Sequence, residues 1–485
     1  METKPVKSIY DSLGVRPLIN ASGTVTIVGA SRILPEVQKA MDDAVKEYVH
    51  IFELMDGVGR RLSELTGAES GCITAGASAA ITAGTAACVT GGDPDKLWKI
   101  PDIQGMKDEV IIPKYSRTAY DAAAKAVGVR MVEVEDIEGL KRAMGPRTAM
   151  ILVLGGAQSR NGTLSTKEIS ALAKPLGIPI LVDAAAEGLE VPNPHLAAGA
   201  DLVAYSGGKK LRGPQCSGML IGNKHLISAA RINTGPHHGF GRGFKVGREE
   251  IMGLMTAVEM WFKRDFAAEA KIHGTMVENM KKKLSPIQGL TLTGTASSLR
   301  VQWDKAKFPL TGYDAEQLLW NNTPRIAVSL SGSYLPFPPN QNPNFGINIS
   351  QLEPGEETII AERVYEIFSK PQAETTKPSA PAAANLSGIW DLEMDFGASK
   401  AKQTLNFEQK GNDFMGTHFA DMGSRDLQGR LDGSNILMRS SYTSDGVRIN
   451  YTFTGTASAD VMSGDVSLSE YGKAKWSAKK RKFRG

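Results

Sequence analysis

Two lysines stand side by side in the segment "DLVAYSGGKKLRGPQCSGMLIG" of residues 201–222. Lys209 and Lys210 follow two glycines, and an apolar run typical of a buried strand comes just before them. Nearby apolar surface and cationic neighbours disfavour the charged form of a lysine, and the neutral amine can form a Schiff base with a carbonyl group. The alternative is a solvated lysine pair in an exposed turn.

A carboxylate ends a second apolar run. Asp183 is the last residue of "PILVD". A carboxylate is costly at the end of a buried strand unless it has a partner. The sequence therefore predicts either a cap for the following segment or a carboxylate paired with a cationic ring nitrogen.

A third segment could bind an anion. In "CITAGASAAITAGTAAC", residues 72–88, a strand end leads through small residues into an Ala-rich helix. Small side chains let the backbone approach an anion closely, and a helix N-terminus offers unpaired N–H groups. Tight helix packing is the alternative, and the segment is neither a dinucleotide-binding fingerprint nor a Walker A loop.

Each of these segments follows a predicted strand. Short Val/Ile/Leu runs such as "EVIIPKY", "TAMILVLGG" and "DLVAYSGG" alternate with helical patterns such as "STKEISALAKPLG". That order is typical of an α/β domain whose parallel strands are buried on both faces.

The C-terminal part has a different pattern. Pro, Ala, Thr and Ser dominate residues 369–386, which is typical of a linker. Short alternating runs such as "GIWDLEMDF" and "VRINYTFTG" then predict an antiparallel meander of about eight strands, closed or nearly closed into a barrel. The barrel is either a binding module or a structural appendage. The predicted domains are a large α/β domain with an N-terminal arm (1–255), a small α+β domain (256–368), the linker (369–386) and the barrel (387–485).

Composition and charge exclude several classes of protein. The chain is 41% hydrophobic and 22% charged, as in soluble globular proteins. Its net charge of +4 comes from the basic tail "KAKWSAKKRKFRG", so the remainder is slightly acidic and indicates no nucleic-acid partner. No apolar run reaches the ~18 residues of a membrane span, and the opening lacks the apolar part of a signal peptide. We therefore expect a cytoplasmic protein.

Metal-ligating residue types are sparse. His237 and His238 have no further His or Cys at metal-ligand spacing, so we expect no metal site. The cysteines are odd in number, widely spaced and set among apolar residues, which predicts buried free thiols. These cysteines are Cys72, Cys88 and Cys216.

The order of an anion loop, an aspartate and a lysine, each ending a strand, resembles the fold type I pyridoxal phosphate-dependent enzymes. "SGGKKLRGPQCSGMLIG" resembles the lysine segment of the L-seryl-tRNA(Sec) selenium transferase-like family, which includes D-glucosaminate-6-phosphate ammonia lyase. "LGVRPLINASGT" resembles the opening of the same group. The resemblance covers residues 9–368 and implies a large α/β domain with a mostly parallel sheet and a small α+β domain.

The resemblance implies pyridoxal 5'-phosphate as the cofactor. Lys209 matches the Schiff-base lysine, and Lys210 is an additional cation. Asp183 matches the carboxylate that keeps the pyridine nitrogen protonated, and Ser206 matches a hydroxyl residue that helps to hold the cofactor phosphate. The residues that match the phosphate cup are Gly76, Ala77 and Ser78.

Other positions are implied with alternatives open. The side chain against the exposed cofactor face falls at Ser116, and Tyr115 or Tyr120 could stack there instead. In the family, the basic loop of residues 234–250 borders the site, so we predict Arg242 as a cofactor ligand. The predicted substrate-binding residues are Asn20, Lys245 and Arg325.

The resemblance implies an enzyme acting on a small amino acid or amino sugar acid, and a homodimer or higher homo-oligomer. We expect a lyase that removes the α-proton and the β-leaving group of a hydroxy-amino acid or amino sugar acid, giving a 2-keto acid and ammonia. An amino acid racemase or aminotransferase would need the same lysine and aspartate. Selenium or sulfur transfer to seryl-tRNA and a non-catalytic binding protein are further alternatives. Gly208 stands where the selenium transferase has Asp, which weakens the transfer alternative.

Overall fold

The structure is a computed structural model that describes residues 8–329, 342–369, 380–444 and 446–482. The chain divides into two compact units. The larger unit comprises residues 20–275 and 349–353, and the smaller unit comprises residues 1–19, 276–348 and 354–485. The limits of the four segments predicted from the sequence stay a prediction.

The helices and strands of the described residues are numbered in chain order. The α-helices are α1 (Pro35–Ala44), α2 (Ile51–Thr66), α3 (Gly76–Thr90), α4 (Pro94–Leu97), α5 (Asp121–Lys125), α6 (Ile137–Ala143), α7 (Ala157–Asn161), α8 (Thr166–Ala173), α9 (Pro194–Ala197), α10 (Lys224–Ile232), α11 (Arg248–Trp261), α12 (Phe266–Leu284), α13 (Gly312–Asn321) and α14 (Glu356–Ser369). The strands are β1 (Leu18–Ala21), β2 (Ser70–Thr74), β3 (Glu109–Pro113), β4 (Arg130–Val134), β5 (Thr148–Leu154), β6 (Ile180–Asp183), β7 (Leu202–Ser206), β8 (Gly218–Gly222), β9 (Leu290–Thr295), β10 (Ser298–Trp303), β11 (Arg325–Val328), β12 (Asn344–Asn348), β13 (Gly388–Asp395), β14 (Lys400–Lys410), β15 (Asp413–Ala420), β16 (Gly423–Asp432), β17 (Asn435–Ser444), β18 (Val447–Ala457), β19 (Val461–Ser467) and β20 (Lys473–Lys480).

A seven-stranded sheet forms the centre of the larger unit, in the order β2-β8-β7-β6-β5-β3-β4. The strands from β7 to β4 in this order run parallel, whereas β8 is antiparallel to both of its neighbours, β2 and β7. Strand β2 therefore runs in the same direction as the parallel strands. The predicted α/β fold with a mostly parallel sheet is confirmed.

Both faces of this sheet are buried. Ile111 packs into one apolar cluster, and its neighbours Val110 and Ile112 pack into another. Successive side chains of a strand point to opposite faces, so the two clusters lie on opposite sides of the sheet. Each fully buried Val or Ile side chain contributes roughly 1.5–3 kcal/mol, which makes the sheet a stable support for the loops at its edge.

In the smaller unit, β9, β10 and β12 form an antiparallel sheet. Trp303 of β10 packs against Phe345 and Phe368, with ring centroids 5.8 and 4.9 Å away. Its indole Nε1–H donates a hydrogen bond of 2.9 Å to the carbonyl of Leu310, so the buried polar atom of this side chain is satisfied.

Strands β13–β20 form a closed antiparallel barrel. Each strand pairs with the next one in sequence, and β13 pairs with β20 to close the ring. The predicted eight-stranded barrel is confirmed. Most of the basic tail forms β20, in which Ala474, Trp476 and Ala478 face the interior and the alternating lysines face outward.

The end of the predicted linker packs on the barrel. The N–H groups of Ala380 and Ala382 donate to Asp432 and Asn412, and Leu386 is fully buried in the barrel core. Residues 380–386 therefore form part of the barrel's hydrogen-bond network. Residues 370–379, also assigned to the linker, lie outside the described residues.

The three cysteines are free thiols. Cys72 is buried and Cys88 is partly buried, but Cys216 is exposed, so the prediction of a buried thiol is wrong for Cys216. The reason is its place in the turn before β8, where the chain has not yet entered the sheet. Across the residues described, no helix combines the length and apolar character needed to span a membrane.

Candidate active site

The predicted anion loop, aspartate and lysine lie at one edge of the seven-stranded sheet. Strands β2, β6 and β7 run in the same direction, so their carboxyl ends lie at the same edge. Asp183 is the last residue of β6, Lys209 follows the end of β7, and Gly76 follows the end of β2. This is the edge at which ligands bind in open α/β sheets.

Lys209 and Lys210 differ in their surroundings. Lys209 is partly buried, whereas Lys210 is exposed. The Nζ atom of Lys209 lies 5.9 Å from the centroid of the Tyr120 ring. It is also close enough to Asp183 to interact with that carboxylate electrostatically. This arrangement favours Lys209 as the reactive amine.

The backbone that carries Lys209 is held by close packing. A Cβ atom at Gly207 would lie 2.1 Å from Ser217 Oγ, and one at Gly208 would lie 2.7 Å from Gln215 Cα. The hydroxyl of Ser31 donates a hydrogen bond of 2.9 Å to the carbonyl of Gly208. These neighbouring atoms leave no room for a side chain at either position. This explains why two glycines precede the lysine pair.

Asp183 is a buried carboxylate, and contacts with the described residues offset little of the cost of burying its charge. It is 8% exposed, and its Oδ1 accepts one hydrogen bond of 3.0 Å from the N–H of Ala185. Burial raises the pKa of Asp183, the charge of Lys209 lowers this pKa, and the charge of Asp121 raises it. An additional cationic partner would stabilise the ionised form.

The loop after β2 forms a cup at the start of α3. Gly76 has a φ of +89°, which favours glycine, and its carbonyl accepts a hydrogen bond of 2.9 Å from Thr74 Oγ1. Ser78 in the first turn is exposed. The backbone N–H groups of Ala77 and Ser78 belong to the helix N-terminus, where orphan N–H groups and the helix dipole favour an anion.

Gly218 fixes the position of this cup. It opens β8 and pairs with Thr74 of β2 on one side and with Ser206 of β7 on the other. A Cβ atom at Gly218 would lie 2.4 Å from the carbonyl carbon of Gly76 and 2.6 Å from the nitrogen of Ala77. No local pattern predicts this role, because the contact joins segments far apart in the chain.

The structure distinguishes the candidate stacking residues. The hydroxyl of Tyr115 donates to the carbonyl of Leu164, and burial raises the pKa of Tyr115 to about 12. Ser116 is 3% exposed, and its hydroxyl accepts a hydrogen bond from the N–H of Leu154. Both side chains are thus held in the fold, whereas the half-exposed ring of Tyr120 lies beside Lys209.

Asn20 organises its own loop. Its Nδ2 donates to the carbonyls of Gly23 and Ala30, at 3.0 Å each. Its Oδ1 accepts from both the N–H and the hydroxyl of Ser22. Both N–H groups and both lone pairs of the amide are therefore used within the loop, which favours a positioning role over direct contact with a substrate.

The predicted anion ligands are placed differently from one another. Arg242 and Lys245 are exposed, in and after a short 3₁₀ helix of the larger unit. Arg325 belongs to the smaller unit, where its Nε donates to the carbonyl of Trp320 and its guanidinium lies 4.5 Å from the Trp320 ring. The ligand roles of all three residues stay predictions.

A cluster of polar and charged side chains near Asp183 was not predicted from the sequence. His195 Nε2 lies 2.5 Å from Glu187 Oε2, and Arg160 contacts the same oxygen at 3.3 Å. Burial raises the pKa of Glu187, but its contacts with His195 and Arg160 lower it, and the lowering prevails. Only the spacing of Glu187 after Asp183 could have indicated this cluster. Within the described ranges, no group of three or more His, Cys, Asp and Glu side chains could hold a metal ion.

The chain has clear similarities to known proteins. The class-V aminotransferase family model matches residues 116–320. D-glucosaminate-6-phosphate ammonia lyase of Salmonella typhimurium is 33% identical over 293 residues, which cover 58% of this chain and 77% of that enzyme. 5'-C-glycyluridine monooxygenase-decarboxylase of a Streptomyces species is 33% identical over 300 residues, which cover 58% and 72%. L-seryl-tRNA(Sec) selenium transferase of Escherichia coli is 27% identical over 345 residues, which cover 66% and 69%.

A solved structure of D-glucosaminate-6-phosphate ammonia-lyase has the same fold. It aligns with a TM-score of 0.66 and 29% identity, covering 75% of this chain and 99% of that chain. Nearly all of that enzyme is therefore matched, while part of this chain has no counterpart in it.

Proposed function

Because the chain belongs to the pyridoxal phosphate-dependent enzyme family that includes D-glucosaminate-6-phosphate ammonia lyase, we propose that it is an ammonia lyase. Its proposed substrate is a small hydroxy-amino acid or an amino sugar acid. The enzyme uses pyridoxal 5'-phosphate. The identity of 33% across 77% of the lyase is the observation that carries this proposal.

The residues at the sheet edge fit this cofactor. The Asp183 carboxylate is buried and has one main-chain hydrogen bond, so a protonated pyridine nitrogen would supply the missing counter-charge. Lys209 would hold the aldehyde carbon, and Tyr120 would lie against the ring. The phosphate would bind at the N-terminus of α3, with Ser206 at the end of β7, which β8 separates from β2 in the sheet. This set differs from the sequence-based one in favouring Tyr120 over Tyr115 and Ser116.

When bound, the cofactor supplies an electron-withdrawing ring next to the substrate's α-carbon. Asp183 would keep a proton on the ring nitrogen and so maintain this electron withdrawal. The amine of Lys209 would take the α-proton and return a proton to the β-hydroxyl as this group leaves as water. The released enamine then takes up water and separates into a 2-keto acid and ammonia. Atoms balance without an external oxidant or reductant.

The proposal is tested by product analysis with a panel of hydroxy-amino acids and amino sugar acids, including D-glucosaminate 6-phosphate. We expect equal amounts of ammonia and 2-keto acid, with no amino acceptor and no uptake of oxygen. Interconversion of enantiomers would instead identify a racemase, and a requirement for a keto-acid acceptor would identify an aminotransferase.

The cofactor lysine is tested separately from activity. Borohydride reduction of the holoenzyme followed by peptide mass spectrometry should find the cofactor on Lys209. Lys209→Ala should lose this label, and the matched variant Lys210→Ala should keep it. A label on Lys210 would show that the assignment is shifted by one residue.

Oxidative decarboxylation is a second candidate reaction. The relative named 5'-C-glycyluridine monooxygenase-decarboxylase has the same identity, 33%, over 72% of its length. Consumption of oxygen and release of carbon dioxide from a glycine-like substrate would favour this reaction over ammonia release.

We also propose that the protein is a homodimer. Supporting surface features lie on α2, α11 and the segment before α2. Tyr48 is 95% exposed and Val49 is 48% exposed. Both line a cleft of about 620 Å³ together with Met252 and Met255, and this cleft includes none of the predicted site residues. Apolar side chains at such a surface are typical of an interface. Light scattering should give twice the chain mass, and Tyr48→Glu should lower it.

A further inference from the structure

The interior of the barrel is divided into an apolar part and a polar part. The apolar part contains stacked aromatic rings, Trp390 with Phe407 and Phe407 with Phe414. The polar part is formed by inward-facing residues of β14 to β18. These residues are Gln403, His418, Arg425, Ser440, Tyr442 and Tyr451. An interior used only for structural packing has no need of such a set.

Arg425 is a buried cation in this polar part. It is 5% exposed, and alternation along β16 puts it on the same face as the buried Leu427 and Leu431. Its guanidinium carbon lies 5.0 Å from the centroid of the Tyr442 ring and 4.9 Å from that of the Tyr451 ring. Two aromatic faces thus hold the guanidinium in place, but they give it no counter-ion.

Two nitrogens of this guanidinium have no hydrogen-bond partner among the residues that the structure describes. Arg425 Nε and Nη1 are buried and make no hydrogen bond within the part of the chain that the structure describes. A buried unpaired charge is strongly destabilising, and buried N–H donors without partners are rare in native proteins. The arrangement is therefore incomplete without a further group.

The neighbouring residue His418 neither balances the positive charge of Arg425 nor adds to it. His418 lies directly opposite Arg425 in the strand register. Its Nδ1 lies 2.8 Å from Ser440 Oγ, and its Nε2 lies 2.7 Å from Gln403 Oε1. Burial first, and the charge of Arg425 second, lower the pKa of His418 to about 3. The imidazole is therefore neutral at physiological pH, and Arg425 carries the charge of this polar part.

We propose that the barrel is a binding module for a small organic anion, whose carboxylate or phosphate group pairs with Arg425 between Tyr442 and Tyr451. An oxyanion matches the open N–H donors of the guanidinium in charge and in hydrogen bonding. An eight-stranded barrel has an interior of the size that can hold one small ligand. The site is separate in sequence from the cofactor-binding segments and does not depend on the proposed lyase reaction.

The test uses the full-length holoenzyme, with the cofactor in place so that its phosphate cup is filled. Inorganic phosphate and succinate serve as probes, and sodium chloride at equal ionic strength is the control. Differential scanning calorimetry should show a rise in the barrel's unfolding temperature that increases with probe concentration and reaches about 5–10 °C at roughly ten times the dissociation constant. Isothermal titration should report which of the two probes, phosphate or carboxylate, binds.

Arg425→Met should remove the stabilisation by whichever probe binds the wild type. Arg430→Met is the matched control, because Arg430 lies on the same strand but faces outward, where it pairs with Asp413, and it should keep the stabilisation. Equal stabilisation of wild type and Arg425→Met, or no stabilisation of wild type beyond that of chloride, would overturn the proposal. The wild-type result decides the matter even if Arg425→Met does not fold.

Discussion

Replacing Gly218 with alanine tests whether the cup at the start of α3 binds the cofactor phosphate. The new Cβ would lie 2.4 Å from the carbonyl carbon of Gly76, whereas ordinary contacts begin at 3.4 Å. The main chain of Gly76 and Ala77 must therefore move by about 1 Å, since both sides of the contact are backbone and neither can rotate away. α3 cannot simply shift to relieve this clash, because 11 of its 15 residues are buried.

A displacement of this size at a binding loop costs on the order of 100-fold in a geometry-dependent step. We expect the cofactor dissociation constant of Gly218→Ala to rise by about 100-fold, which corresponds to about 2.7 kcal/mol. This value lies within the ~1–3 kcal/mol typical of overpacking in a well-packed core. The assay is titration of the cofactor-free protein with pyridoxal 5'-phosphate, followed by absorbance.

The matched control is Gly274→Ala. Gly274 lies within α12, and a Cβ there would meet nothing within 4 Å, so the variant should bind the cofactor normally and be slightly more stable. An unchanged dissociation constant for Gly218→Ala would refute the reasoning, because the cup would then tolerate the displacement or the phosphate would bind elsewhere.

Four further predictions follow from the same structure. Asp183→Asn should retain the cofactor but lose at least ~100-fold in turnover. Burial raises the pKa of Asp183, so its ionised form destabilises the cofactor-free protein at pH 7. Asp183→Asn should therefore raise the melting temperature of the cofactor-free protein at this pH. Burial raises the pKa of Glu316 from 4.5 to about 7, so ionisation of this side chain destabilises the fold as pH rises through this range. Glu316→Gln should therefore raise the melting temperature at pH 8 but not at pH 4.5. Equal shifts of the melting temperature at both pH values, measured by calorimetry, would contradict this. Truncation after Lys370 should leave a soluble protein that still binds the cofactor and turns over small substrates, and aggregation or loss of the cofactor would contradict it. Filter binding with seryl-tRNA at physiological salt should show only weak, salt-sensitive affinity, and replacing the outward lysines of β20 with glutamine should remove it; these substitutions are preferable to deleting the tail, because β20 closes the barrel.

Local pattern in the sequence was enough to predict the fold and much of the candidate site. The alternation of apolar runs and helical patterns predicted the α/β sheet, and strict two-residue alternation after residue 387 predicted the barrel. Asp183 and the Lys209–Lys210 pair attract attention because a charged group at the end of an apolar strand is costly to bury. The choice of Lys209 over Lys210 came from the resemblance to the selenium transferase-like family. These signals succeed because secondary structure and burial follow from residue types that are neighbours in the chain.

The tertiary structure alone decided which distant segments meet. Gly218 is one glycine among 51 in the sequence, and its role appears only when β8 lies between β2 and β7. The sequence does not distinguish Tyr115 from Tyr120 as stacking candidates. In the structure, the hydroxyl of Tyr115 donates to the carbonyl of Leu164, whereas the ring of Tyr120 lies beside Lys209. Arg425 reads as an ordinary strand residue, and its two open N–H donors become evident only when the barrel closes around it. Each of these features depends on contacts across strands that no local pattern encodes, because pairing and packing select partners by complementarity in space.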